Sequence, residues 1–91
     1  MTAKDELALD GVLAWFEKRG PVPGDTRQQK AACDYFAAGL IDSLAVVELI
    51  SELEGRYFIR FKDSHFQERR FSTIGGVAEI IEELRAGQAL T

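Results

Sequence analysis

The stretch GLIDSL at residues 39–44 is the part of this sequence best suited to chemistry, because it delivers one hydroxyl to the start of one helix. Gly39 can adopt a turn conformation that other residues avoid, and Asp42 is a favoured N-cap. Apolar residues then recur at helical spacing, so the helix is predicted to begin at or beside Ser43. The first N–H groups of a helix lack partners within it, and the helix dipole adds partial positive charge there. A phosphate ester on Ser43 would be favourably placed, which indicates an attachment site rather than a catalytic one.

These residues resemble the acyl carrier protein family, which includes the D-alanyl and peptidyl carriers. The resemblance runs from Asp34 to Glu54, and the chain of 91 residues has the length of one stand-alone carrier. In that family an Asp-Ser-Leu motif follows a Gly-Leu-Ile/Leu turn, and its serine receives 4′-phosphopantetheine from coenzyme A. The resemblance implies that Ser43 carries this arm, with Asp42 and Leu44 beside it, and that the thiol of the arm holds acyl or aminoacyl groups as thioesters.

The resemblance also implies a docking surface and a set of partners. In relatives the helix after the serine is the main recognition surface, and its acidic side docks on basic patches of enzymes. The residues expected on this surface are Leu44, Val47, Glu48, Ser51 and Glu52. The expected partners are a phosphopantetheinyl transferase and the acyl-transfer, synthase or ligase enzymes of a biosynthetic pathway. The cargo stays open among fatty acids, polyketide units, amino acids and specialised lipid precursors, and no catalytic activity of the chain itself is expected.

A plainer interpretation of the motif is an ordinary amphipathic helix capped by Asp42, with Ser43 as a solvated residue. The pair Asp63-Ser64 serves as an internal comparison, because it lacks the leucine, the glycine turn and a long apolar-periodic helix behind it. Context therefore favours Ser43 over Ser64 as an attachment site. An unmodified helical adaptor that binds a partner through the same helix is the alternative function.

Composition indicates one ordinary soluble domain covering residues 1–91, with 46% hydrophobic and 29% charged residues and two prolines. No apolar run has the length needed to cross a bilayer, and the N-terminus has no signal-peptide core. We therefore expect a cytoplasmic monomer without membrane insertion. Cys33 is the only cysteine, which excludes an intrachain disulfide. A catalytic pair of Cys33 with His65 is a weak candidate, and neither a metal-ligand cluster nor a nucleotide-binding loop is recognisable.

The net charge of −4 is unevenly spread along the chain. The segment 56–70 contains five bases and only two acids, whereas the chain on either side is acidic. An acidic chain repels nucleic acid overall, so this basic segment is interpreted first as a solvated face and only second as a phosphate contact. Nucleic acid is not an expected partner.

Hydrophobic periodicity predicts an all-α four-helix bundle with three long helices, one short third helix and a long first loop. The first helix is expected from about Asp5 to Lys18, before the GPVPG sequence at residues 20–24. Apolar residues including Tyr35 and Phe36 are expected to pin the loop that follows, which could hold a short helical turn. The second helix is expected from about Ser43 to Tyr57.

Residues 58–62 alternate briefly but are predicted to form an extended connector, because a lone strand would be unstable. Asp63 is the expected N-cap of a short helix ending near Glu68, with Phe66 inward. Thr73 is the expected N-cap of the last helix, with a stop at Gly87 and a frayed tail over residues 87–91. The buried stripe expected on the second helix comprises Val46, Val47, Leu49, Ile50, Leu53 and Tyr57.

An acyl cargo, if present, is expected to shelter between the second and third helices. That space is predicted to lie where a thin core is closed by a connector with little regular hydrogen bonding, which opens at low free-energy cost. The residues expected to face it are Leu49, Ile50, Leu53, Phe58, Phe61, Phe66 and Ile80. The aromatic rings among these residues favour a pocket shorter than one lined by aliphatic residues alone.

Overall fold

The computed structural model describes residues 7–89, with side chains as far as residue 87. Its helices are α1 (Ala8–Arg19), α2 (Arg27–Ala31), α3 (Ser43–Tyr57), α4 (Asp63–Phe66) and α5 (Ile74–Ala89), and a 3₁₀ turn spans Arg69–Ser72. Within the described residues the only extended pairing is an isolated bridge between Asp34 and Thr73. The all-α fold is confirmed, with three long helices and a first loop that contains the short α2. The predicted start of the first helix at Asp5 lies outside the described residues.

Helix α1 packs through Val12, Leu13 and Phe16, which are buried in the core. It ends at Gly20, whose N–H donates to the Phe16 carbonyl at 3.2 Å, immediately before the two prolines that prevent continuation. Gly11 is needed in this helix for space, because an added Cβ would overlap the hydroxyl of Tyr57. The close approach of α1 to the end of α3 therefore depends on a residue without a side chain.

The core lies between α1, α3 and α5. Its most completely buried large side chains are Val12, Tyr35, Leu49, Leu53, Ile74, Val77, Ile80 and Ile81. Burial of each such aliphatic side chain contributes about 1.5–3 kcal/mol relative to exposure. Among the described residues, no helix is both long and apolar enough to cross a bilayer.

The predicted buried stripe of α3 is largely confirmed, with Val46, Leu49, Leu53 and Tyr57 buried and Ile50 half-buried. Val47 was wrongly included, since its side chain is 61% exposed. Successive helical residues are about 100° apart, because a turn takes 3.6 residues. Val46 and Val47 therefore cannot both face the same narrow core.

Residues 58–62 form an extended connector without a strand, as predicted. Phe58 closes α3 in the left-handed conformation (φ 55°), and its N–H donates to the Glu54 carbonyl. Its side chain is 83% exposed, so the prediction that Phe58 faces a cargo space is wrong. The left-handed residue reverses the chain direction, which turns Ile59 and Phe61 into the core instead. The Phe61 N–H donates to the Glu54 carboxylate at 2.9 Å.

Helix α4 is a single turn and is shorter than predicted, because it ends at Phe66 rather than near Glu68. Asp63 is its first residue and not its N-cap, since the extended backbone that precedes the helix belongs to Lys62. The Lys62 N–H donates to Nδ1 of His65 at 3.0 Å. Phe66 is 40% exposed, so its predicted inward placement is only partly right.

Helix α5 begins as predicted, because Oγ1 of Thr73 accepts a hydrogen bond from the Gly76 N–H at 3.0 Å. Gly76 also permits close packing, since an added Cβ would overlap the backbone of Arg70. The predicted stop at Gly87 is wrong: α5 continues through Gly87 to Ala89. Glycine favours a helix end where it takes a left-handed conformation, and within the described residues the glycines in that conformational region are Gly24 and Gly39 rather than Gly87. Residues 90 and 91 of the predicted tail lie outside the described part.

Candidate functional site

The loop of residues 34–42, here called the serine loop, delivers the chain to Ser43 through local hydrogen bonds. Oδ1 of Asp34 accepts from the N–H groups of Phe36 at 3.0 Å and Ala37 at 2.9 Å. Gly39 then turns the chain at φ 71°, and its N–H donates to the Phe36 carbonyl at 3.0 Å. Only glycine takes this left-handed conformation at little cost, which explains the glycine of the GLIDSL sequence.

Tyr35 pins the serine loop to the body of the protein. Its side chain is fully buried, and its hydroxyl donates to the Phe71 carbonyl. Its N–H donates to the Ser72 carbonyl at 3.1 Å, and the Ile74 N–H donates to the Cys33 carbonyl at 3.2 Å. Burial, together with the charge of Asp34, raises the pKa of the Tyr35 phenol far above its usual range, so the hydroxyl stays a donor. The predicted anchoring of the loop by Tyr35 is confirmed, and the neighbouring Phe36 is 45% exposed.

Ser43 is the first residue of α3, and its side chain is exposed. The N-cap is Asp42, as predicted: its Oδ1 accepts from the Ala45 N–H at 2.9 Å, and its carbonyl accepts from the Val46 N–H at 3.1 Å. The N–H groups of Ser43 and Leu44 belong to the first turn, where no earlier helical carbonyl is available. The serine hydroxyl therefore lies at the positive end of a helix of 15 residues.

One exposed face of α3 continues from this serine and is here called the docking face. It consists of the five residues expected to bind partners, Leu44, Val47, Glu48, Ser51 and Glu52, all of which are exposed. Leu44 is 71% exposed and Val47 is 61% exposed, and their spacing of three residues places the two aliphatic side chains next to each other on the helix. A shallow groove of about 710 Å³ follows the same face from Val47 to Arg56. The structure thus brings together an exposed serine and an adjoining mixed apolar and acidic face.

The docking face carries an ion pair that sequence reasoning missed. The guanidinium of Arg19, at the end of α1, donates to Oε1 of Glu48 at 2.5 Å. The same guanidinium lies over the Trp15 ring, 4.2 Å from its centroid. Glu48 and Arg19 are 29 residues apart. Since the pair depends on how α1 crosses α3, no local pattern in the sequence could have indicated it.

The space predicted to shelter a cargo is closed by aromatic packing. The rings of Phe61, Phe66 and Phe71 are 5.1–6.0 Å apart between centroids, two of the three pairs being edge-to-face. Leu49 and Ile80, which are also expected to face this space, are fully buried. A cargo can enter here only if these rings move apart.

The weaker candidates from the sequence have structural explanations. Cys33 is half-buried, and burial together with the charge of Asp34 raises the pKa of its thiol, which disfavours the nucleophilic thiolate. His65 serves as a hydrogen-bond acceptor in α4. In the basic segment, Arg70 pairs with Glu68 at 2.6 Å and forms two hydrogen bonds to Glu83 at 2.6 and 2.8 Å. Its guanidinium holds the 3₁₀ turn against α5.

Comparisons with known proteins agree with these features. The D-alanyl carrier proteins of Streptococcus sanguinis (strain SK36) and Streptococcus gordonii are each 44% identical to this chain over 52 residues, which is 57% of this chain and 66% of each relative. That of Streptococcus uberis is 40% identical over the same length. The aligned part thus spans just under two thirds of these relatives.

No family model and no solved structure matches the chain. The relatives are named as carriers, which supports the expectation that this protein is not itself an enzyme. On the similarity to these proteins and the helical fold, the chain belongs to the acyl and peptidyl carrier protein family.

Proposed function

We propose that this protein is a carrier whose Ser43 receives 4′-phosphopantetheine from coenzyme A and whose tethered thiol then holds an acyl or aminoacyl group as a thioester. The observation that carries the proposal is the placement of Ser43, exposed as the first residue of α3 and preceded by a loop with its own hydrogen bonds. A separate transferase would catalyse the attachment, because the carboxylate next to the serine, that of Asp42, is engaged in capping α3.

The residues around Ser43 fit a phosphate ester. The positive end of α3 favours a negative charge by about 0.3–1 kcal/mol in an exposed setting. Asp42 uses Oδ1 to hold the Ala45 N–H, so its role is to order the start of the helix. Leu44 is exposed beside the serine and would contact the transferase during attachment. When bound, the arm supplies a thiol that can form a thioester, and the protein supplies its position.

An aminoacyl group is the first cargo to test, because the relatives are D-alanyl carrier proteins. The packing of Phe61, Phe66 and Phe71 agrees with a small cargo, since a long acyl chain would have to separate these rings. Fatty acyl and polyketide groups are the other candidates, and intact mass of the loaded protein distinguishes all three. We place the function in the cytoplasm, with the protein acting as a monomer.

The experiment is incubation with coenzyme A and a broad-specificity phosphopantetheinyl transferase, followed by intact-mass measurement. The wild-type chain should gain the mass of one phosphopantetheine group, and Ser43→Ala should gain none while keeping its helical circular dichroism. Ser64→Ala is the matched control, because Ser64 also follows an aspartate but lies inside the single turn of α4. Labelling of Ser43→Ala, or modification mapped to Ser64, would refute the assignment.

The alternative is an unmodified adaptor that binds a partner through the docking face. The exposure of Leu44 and Val47 favours it, because such side chains suit a protein interface with or without an arm on the serine. An unmodified wild-type chain, in an assay where a known carrier is modified, would support this alternative.

A further inference from the structure

Arg19 is held in place from two sides at the end of α1. Its guanidinium lies 4.2 Å from the centroid of the Trp15 ring, a distance at which a cation is attracted to an aromatic face. The Trp15 ring itself packs edge-to-face on Phe16, with centroids 5.1 Å apart, and Phe16 is only 2% exposed. The Arg19 side chain is thus positioned by the Trp15 ring and extends towards α3.

The carboxylate that Arg19 reaches is in the middle of the docking face. Glu48 lies four residues after Leu44 and four before Glu52, so the three side chains follow one another along the same side of α3. The bond from Arg19 to Glu48 measures 2.5 Å. It places a positive charge where a basic partner would bring its own, which lowers the attraction of this face for such a partner.

We propose that Arg19 is an internal competitor for the basic partner of the docking face. This inference rests on the proposed function, in which enzymes approach the serine along α3. A basic side chain of the partner takes the place of Arg19 at Glu48, and Arg19 stays on Trp15. The exchange is easy, because the two side chains are 43% and 58% exposed and such pairs are weak in water. Arg19 therefore lowers the electrostatic attraction between the acidic docking face and a basic partner.

The test compares Arg19→Ala with Lys18→Ala in the modification reaction. Both changes remove one positive charge from neighbouring exposed residues, so the net charge of the two variants is identical. At low salt, kcat/KM for attachment by a broad-specificity transferase should be about two- to fivefold higher for Arg19→Ala than for Lys18→Ala, the range expected of one exposed ion pair. The ratio should fall towards one as salt shortens the Debye length to about 8 Å and below.

Glu48→Gln identifies the carboxylate responsible. With Arg19 present this substitution should lower kcat/KM only slightly, whereas in the Arg19→Ala background it should cancel the gain. Arg19→Gln retains the aliphatic stem on Trp15 and serves as the second variant if Arg19→Ala is poorly folded by circular dichroism. Equal or lower rates for both Arg19 variants than for Lys18→Ala would overturn the inference alone. Failure of the wild-type chain to be modified would instead overturn the proposed function, and this inference with it.

Discussion

The two segments that flank α3 are held in place by different forces. The serine loop before it is fixed by hydrogen bonds, including those of Asp34 to two backbone N–H groups and that of Tyr35 to Phe71. The segment after it, residues 58–72, is here called the aromatic connector. It also has hydrogen bonds, such as those of Arg70 to Glu83, but it differs from the serine loop by a cluster of three packed rings, those of Phe61, Phe66 and Phe71.

This difference matches what each end of α3 would have to do in a carrier. Hydrogen bonds are directional and short, so the serine loop presents Ser43 at one defined place to every enzyme. Contacts between rings are less directional, and a cargo would have to separate the rings of Phe61, Phe66 and Phe71 to enter. In the proposed function, the aromatic connector is the side of the molecule at which we expect a cargo to enter. The Tyr35 hydroxyl on the Phe71 carbonyl joins the two segments.

Gly76→Ala should have the largest effect, because it breaks the attachment of the aromatic connector to α5. An added Cβ would overlap the backbone of Arg70, and that backbone cannot move without displacing Phe71. The free energy of unfolding should fall by about 2–3 kcal/mol, as in other overpacked sites. The free energy of unfolding of the variant and of the wild type is measured by urea denaturation.

Gly87→Ala is the matched control for this change. Gly87 is exposed within α5 and has no atom within 4 Å of an added Cβ. Alanine should therefore stabilise the helix here, by about 0.5–1 kcal/mol. Similar values for the two variants would mean that the contact at Arg70 does not constrain the connector.

Tyr35→Phe should have a smaller effect and should act on the serine loop. It removes only the hydroxyl, which leaves the Phe71 carbonyl without its donor. The expected loss is about 1–3 kcal/mol, the cost of an unsatisfied buried polar group. Amide hydrogen exchange should accelerate at Leu40, whose N–H donates to the Tyr35 carbonyl at 3.0 Å.

Phe66→Leu tests the other segment in the same experiment. Phe66 is 40% exposed, and the change in volume is modest, so stability should fall by less than about 1.5 kcal/mol. Exchange at Leu40 should stay as in the wild type. If both variants accelerate exchange at Leu40 equally, the two segments are not held independently.

The same contrast explains how much of the structure could be predicted. The start of α3 at Ser43, the cap by Asp42 and the turn at Gly39 were predicted correctly, because each depends on residues within a few positions. The cap by Thr73 belongs to the same class. Local hydrogen bonds of this kind can be predicted from the types of neighbouring residues and their spacing.

The wrong or missing predictions concern side chains whose direction depends on packing between segments that are distant in the sequence. Whether Val46 or Val47 faces the core depends on the rotation of α3 against α5, which apolar spacing leaves ambiguous. The direction of Phe58 follows from a left-handed residue that is not glycine, and no sequence rule indicated it. The pair of Arg19 with Glu48 joins helices that are distant in the chain. The position of the serine and the exposed residues of the docking face were thus predictable, whereas the ion pair that crosses from α1 to that face was not.

Phe58→Gly should have the smallest effect and should increase stability. Phe58 has φ 55°, a conformation that costs an ordinary residue about 1–2 kcal/mol and costs glycine little. Because its ring is 83% exposed, removing it forfeits little burial. The greater chain entropy of glycine in the unfolded state offsets part of the gain, so the free energy of unfolding should rise by about 0.5–1 kcal/mol in urea denaturation.

Phe58→Ala separates backbone strain from the ring. Alanine pays the same cost in the left-handed conformation, so its stability should lie within about 0.5 kcal/mol of the wild type. Modification of Ser43 should be unchanged in both variants, because Phe58 follows the 15 residues of α3 and so lies about 22 Å from the serine at 1.5 Å per residue. A loss of stability in both variants would show that the aromatic connector is held by the Phe58 ring as well. The cluster of rings that stabilises the aromatic connector would then include Phe58 as a fourth member.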